Sequence, residues 1–124
     1  MTTEYPDRNK RVHKLMGELR AQLPDTMAAY SNLQQAATRK GALDTKTKEL
    51  IALAIGITLR CDGCITFHIY DAMRSGATRE EILDTIGVAV MMGGGPSVVY
   101  GAEAMEALNQ FEMEASLEST ASLQ

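Results

Sequence analysis

The stretch Asp44-Thr45-Lys46-Thr47-Lys48-Glu49-Leu50-Ile51-Ala52-Leu53-Ala54-Ile55-Gly56-Ile57-Thr58-Leu59, residues 44–59, decides between an all-helical and a mixed fold. Residue type alone would allow a buried strand over Ile51 to Leu59. The charged lead-in from Lys46 to Glu49 and the alanines favour helix instead, and Asp44 is the kind of residue whose side chain caps a helix N-terminus. From Leu50 onward the segment is apolar nearly all round, so this helix is expected at the centre of the molecule.

Working outward, the other segments also read at helical period. Upstream, Val12, Leu15, Met16 and Leu19 mark one face of a helix from Asp7 to Gln22, ended by Leu23-Pro24. Pro24 opens a second helix with Met27, Tyr30, Leu33 and Ala37 as its buried stripe, closing at Arg39-Lys40-Gly41. Downstream, the chain breaks at Arg60 to Gly63, resumes as a helix through His68 to about Arg74, and stops at Ser75-Gly76-Ala77. Thr78-Arg79-Glu80-Glu81 is a capping box opening a fifth helix, with Ile82, Leu83, Ile86, Val90 and Met91 inward. Gly93-Gly94-Gly95-Pro96 leads into a sixth helix towards Phe111, with Val98, Ala102, Met105 and Leu108 on its stripe. The glycines follow no strand and precede no Lys-Ser/Thr pair, so they read as a helix-to-helix turn rather than a phosphate cradle. Residues 114–124, rich in Ser, Glu and Thr, are expected to fray, leaving residues 1–113 as a single all-α domain of about six helices.

Twelve Lys and Arg against sixteen Asp and Glu give a formal charge of −4, which lacks the basic footprint that phosphate neutralisation requires, so nucleic acid is not an expected partner. Residues 1–11 are polar and charged where a secretory signal would be apolar, and the longest apolar run, residues 50–59, is too short to span a bilayer. The expectation is a cytoplasmic protein with no membrane partner. In a reducing compartment, two close cysteines point to catalysis or metal binding rather than to a structural staple.

Those cysteines lie in Cys61-Asp62-Gly63-Cys64-Ile65-Thr66-Phe67-His68. A CxxC pair brings two thiols within disulfide reach on one turn, and a helix N-terminus stabilises the thiolate that does the chemistry. His68, four residues past Cys64, falls on the same helical face and can accept the thiol proton. A carboxylate behind the imidazole would fix its tautomer. Glu49, the last charge before the apolar helix, is the candidate if the third and fourth helices fold back on each other. Each residue also has a plainer reading: two small buried cysteines, a surface histidine, and a solvated first-turn glutamate. His13, among charged residues, reads as a surface residue, and Met91-Met92 as packing.

The constellation Glu49, Cys61, Cys64 and His68, followed by Gly76, Thr78, Glu81 and Ile82, resembles the alkylhydroperoxidase-D and carboxymuconolactone decarboxylase superfamily over about residues 40–110, in a single-repeat form. The resemblance implies an all-helical homo-oligomer, trimer or hexamer, with the thiol site near subunit contacts. It also implies Cys64 as peroxidatic cysteine, Cys61 as resolving cysteine, and His68 with Glu49 as proton relay. The implied activity is a thiol-dependent peroxidase or disulfide reductase that acts on hydroperoxides, is recharged by a dithiol or thiol protein, and uses no cofactor and no metal. The chain departs from the well-characterised peroxidases of that superfamily at Gly63, where they carry a further histidine. Apolar residues on more than one face of the fifth and sixth helices, among them Val88, Met92, Val99 and Tyr100, independently suggest a subunit interface.

Two other readings remain. A lyase of carboxymuconolactone decarboxylase type would use acid–base groups and leave both cysteines without a task. A structural or zinc-binding oligomer would hold the metal through Cys61, Cys64 and His68, with Glu49 or a neighbouring subunit completing the set. Covalent haem attachment is excluded because Ile65 stands where that motif needs histidine.

Overall fold

Asp44 does cap the decisive helix, its carboxylate accepting the Thr47 backbone N–H at 2.8 Å. A computed structural model of the chain describes residues 4–122, which form six helices and no strand: α1 Glu4–Gln22, α2 Pro24–Thr38, α3 Thr45–Thr58, α4 Asp62–Arg74, α5 Arg79–Gly93 and α6 Gly95–Ser122. Among the described residues no helix is long and apolar enough to cross a membrane.

α3 lies at the centre, packed against α4, α5 and α6. Leu53 and Ile57 on α3 are fully buried, and around them close Ile65 and Ile69 of α4, Ile82 and Ala89 of α5, Leu108 and Phe111 of α6, and Tyr5 of α1. Each fully buried aliphatic side chain contributes about 1.5–3 kcal/mol relative to an exposed one, so this column is the main source of cohesion.

The turns follow from local chemistry. At the end of α3, Cys61 N–H reaches Gly56 O at 3.0 Å while Arg60 N–H reaches Ile57 O at 3.1 Å. This is the paired C-terminal closure of a Schellman motif, with Arg60 at φ 59° where glycine is usual. α4 ends the same way with Gly76 at φ 94°. The capping box at Thr78 and Glu81 is fully formed, and Glu81 also pairs with Lys46 of α3 at 2.9 Å. Burial plays no part at this exposed cap, so Thr78→Ala is expected to lower stability by about 1 kcal/mol, read as a shift of the urea unfolding midpoint at unchanged slope.

Four expectations from the sequence are corrected. Leu15 and Leu19 on α1 are about half exposed; α1 is anchored instead by its first turns, where Tyr5, Pro6 and Asn9 are buried and Tyr5 N–H donates to Gln110 Oε1 at 2.8 Å. No residue of α2 is buried, and its stripe is open, with Leu33 64% exposed. On α6 the buried face is Ser97, Gly101, Ala104, Leu108 and Phe111, while Val98, Ala102 and Met105 face outward. Small residues form this inner face because α5 and α6 approach closely: a β-carbon on Gly101 would meet Ile86 Cγ2 at 2.9 Å. Met91 and Met92, expected to pack, are each 73% exposed.

α6 continues through the segment expected to fray, residues 114–122 being helical and Leu123 and Gln124 lying outside the described residues. Glu114, Ala115, Leu117 and Glu118 are good helix formers, and a Lys10–Glu114 ion pair at 3.5 Å ties the first part back to α1.

Candidate active site

The corner between α3 and α4 builds the site. Cys61 closes α3 with its backbone N–H and caps α4 with its sulfur, which accepts the Cys64 backbone N–H at 3.2 Å. Cys61 and Cys64 are joined as a disulfide with their Cα atoms 5.2 Å apart. Both are partly exposed; Cys61 is the N-cap and Cys64 lies in the first turn of α4, where unpaired N–H groups and the helix dipole favour a sulfur anion once the bond is reduced.

α3 passes close behind Cys64. A β-carbon on Gly56 would come within 3.1 Å of Cys64 Cβ, so glycine lets the two helices approach at the redox pair. At Gly63 a β-carbon would meet nothing within 4 Å, which leaves open the space where the well-characterised peroxidases carry histidine.

Glu49 is not the solvated first-turn residue that its surroundings in the sequence allow. It occupies the same stripe of α3 as Leu53 and Ile57, one and two turns on, and is only 5% exposed. Its Oε2 lies 2.7 Å from His68 Nδ1, across the α3–α4 contact. A carboxylate this buried is costly without a partner, and the imidazole provides one. His68 keeps one-fifth of its side chain exposed and stands one helical turn past Cys64. Thr66, buried beside it, spends its hydroxyl on Asp62 O at 2.9 Å and takes no part.

Periodicity did not single out Asp71. It lies three residues past His68 on the same face of α4, a signal present in the sequence but unread, and one ligand atom from each of Glu49, His68 and Asp71 falls within 4.8 Å of the others. Burial, and next the Glu49 carboxylate, push the Asp71 carboxyl above the usual carboxylate range, while His68, His13 and Arg74 pull it back. These three are also the described residues that could hold a cation, since a disulfide withholds both sulfurs. His13 is exposed as expected, yet its ring lies on Phe67 of α4 with centroids 4.7 Å apart. A groove between α1, α4 and α6, lined by His13, Tyr70, Arg74, Phe111 and Glu114, is further along α4 and includes neither cysteine.

The model of the carboxymuconolactone decarboxylase family matches residues 24–107, from the start of α2 well into α6. The chain belongs to this family. Among solved structures, a carboxymuconolactone decarboxylase family protein of Legionella pneumophila is 46% identical with a TM-score of 0.86, covering 89% of this chain and 98% of its own. A second family member, from Thermotoga maritima, is 31% identical with a TM-score of 0.80, covering 90% and 96%. An uncharacterised protein of Cupriavidus necator is 37% identical over 112 residues, 88% of this chain and 99% of the relative. The all-helical family fold thus holds along nearly the whole chain, and the CxxC pair lies at disulfide distance within it.

Proposed function

We propose that this family member is a thiol-dependent hydroperoxide reductase. The observation that carries the reading is a buried Glu49–His68 pair one turn from a CxxC that caps its own helix. Glu49 takes Nδ1 of the ring, so proton exchange with sulfur runs through Nε2. His68 removes the Cys64 proton; the thiolate attacks the hydroperoxide, an S–O bond forms as the O–O bond breaks, and the departing alkoxide takes the proton back to leave as alcohol. Cys61 then attacks the sulfenic acid, releasing water and closing the disulfide, and an external dithiol or thiol protein reopens it. For the Thermotoga maritima relative a part in antioxidative response has been suggested, which agrees with this direction.

A homo-oligomer, trimer or hexamer, completes the proposal. One protomer leaves Leu33 of α2, Ile55 and Leu59 of α3 and its corner, Met91 and Met92 of α5, and Val99 of α6 at least half exposed, a larger apolar surface than a monomer normally presents.

The test is a titration of the fully reduced protein with one equivalent of hydroperoxide, following free thiols and intact mass. Loss of both thiols with closure of one internal disulfide is expected. Unchanged thiols with bound zinc would favour the metal reading, and unchanged thiols without metal would favour acid–base lyase chemistry by Glu49 and His68.

A further inference from the structure

Away from the thiol corner, one buried polar atom has no partner. Asn9 of α1 is only 6% exposed, and its Oδ1 is closed off from water and accepts no hydrogen bond from any described residue. Buried acceptors in folded proteins are nearly always paired, and an orphan costs stability. Asn9 lines the groove between α1, α4 and α6, where an occupant could bring the missing donor.

The groove has the size and lining of a small-molecule site. It has two lobes, of about 460 and 320 Å³, that share Tyr70, Arg74 and Phe111. The Tyr70 and Phe111 rings, with centroids 5.5 Å apart, form an aromatic floor that Met73 and Ala115 extend. Arg74 supplies a cation: its guanidinium lies over the Tyr70 ring, 5.7 Å from the centroid, and donates to the Tyr70 hydroxyl at 3.4 Å. No carboxylate among the described residues is within ion-pair distance of Arg74, and Asp71 feels its charge only from further away. Of the other charged lining residues, Lys10 and Glu114 pair with each other at 3.5 Å, while His13 and Glu118 are exposed.

We propose that this groove binds an amphipathic organic acid: a flat apolar body on the aromatic floor, with a carboxylate for Arg74 and an O–H or N–H donor for the Asn9 amide. Apolar burial on the rings supplies affinity, and the two polar anchors fix orientation. The Asn9 amide turns about its soft terminal torsion to meet the donor, exchanging a buried orphan for a hydrogen bond. The site shares no residue with Cys61, Cys64, Glu49 or His68, so the inference goes beyond the hydroperoxide reading and does not depend on it.

The probe is indole-3-acetate, whose ring, carboxylate and N–H match the three features. The chain has no Trp, so the indole can be followed by its own fluorescence. Titration with the full chain is expected to show saturable binding of one probe per protomer. Indole-3-acetamide, which lacks the charge, and 1-methylindole-3-acetate, which lacks the donor, are each expected to bind about tenfold more weakly, the effect of one such hydrogen bond. The preference for charge should vanish in Arg74→Gln, and the preference for the N–H in Asn9→Leu. Absence of saturable binding, or preferences that persist in these variants, would overturn the inference.

A stability measurement separates a ligand contact from a structural one. Asn9→Leu removes an orphan rather than a bond, so it is expected to unfold at a urea concentration no lower than the wild type. A lower midpoint with probe affinity unchanged would make Asn9 a structural residue and overturn the proposal. Ala115→Phe, at an exposed position of α6, fills the groove from outside the core and keeps the test if another variant fails to fold. It is expected to abolish binding; full affinity in that variant would place the probe elsewhere and sink the assignment.

Discussion

Cys64→Ser is expected to abolish hydroperoxide-dependent thiol loss, while Cys61→Ser stops the reaction at a sulfenic acid on Cys64. The asymmetry follows from the roles proposed at the α3–α4 corner: one sulfur attacks, and the other captures the oxidised product. Serine is the informative replacement at Cys61 because that residue caps α4, and a serine oxygen caps at least as well as sulfur. Loss of function in Cys61→Ser therefore reports a missing thiol rather than a frayed helix. Intact mass after one equivalent of hydroperoxide separates the outcomes: disulfide in wild type, one added oxygen in Cys61→Ser, no change in Cys64→Ser.

The same assay applied to Glu49→Gln tests the relay. The amide still reaches His68 at hydrogen-bond distance but brings no charge, and general acid–base assistance is worth roughly 10²–10⁴-fold in rate. A fall within that range is expected, with the fold retained. A variant as fast as wild type would remove Glu49 from the mechanism.

Gly93→Ala is expected to be the most damaging of the small substitutions, costing about 2–3 kcal/mol by overpacking. A β-carbon there would meet the Cβ of Ser97 at 2.8 Å, and the serine hydroxyl would be closer still. Rotating the hydroxyl relieves only part of the overlap, because the Cβ of Ser97, buried at the start of α6, remains too close. The α5–α6 corner would have to open. Gly95→Ala is the control, since its β-carbon would meet nothing within 4 Å, and should stay within about 0.5 kcal/mol of wild type. Urea unfolding at one fixed protein concentration compares the two, because association would add its own stabilisation.

What could be read in advance divides along physical lines. Caps are local, so Asp44, Thr78 and the break at Arg60 to Gly63 gave helix boundaries close to those of the structure, where α4 begins slightly earlier, at Asp62. The meeting of Glu49 and His68 was foreseeable because a short corner folds α4 back against α3. Which face of a helix turns inward was harder. On α6 the large apolar residues suggested a stripe through Val98 and Met105, but the close approach of α5 selects the small face through Gly101 and Ala104. On α2 a good apolar stripe meets no core at all within one protomer. Periodicity reports that a face is apolar, not which partner covers it. Asp71 was missed because an acidic residue near a helix end ordinarily needs no explanation, and only its distance to Glu49 and His68 gives it one.

The corner residue Cys61 belongs to two helices at once, finishing one with its main chain and starting the next with its side chain. Such a joint has no slack: no loop is available to swing a sulfur outward, and lengthening the link by one residue would break both closures together. If the pair cycles as proposed, the sulfur chemistry proceeds on a backbone nearly at rest, and whatever restores the thiols has to fit itself to the corner as it stands.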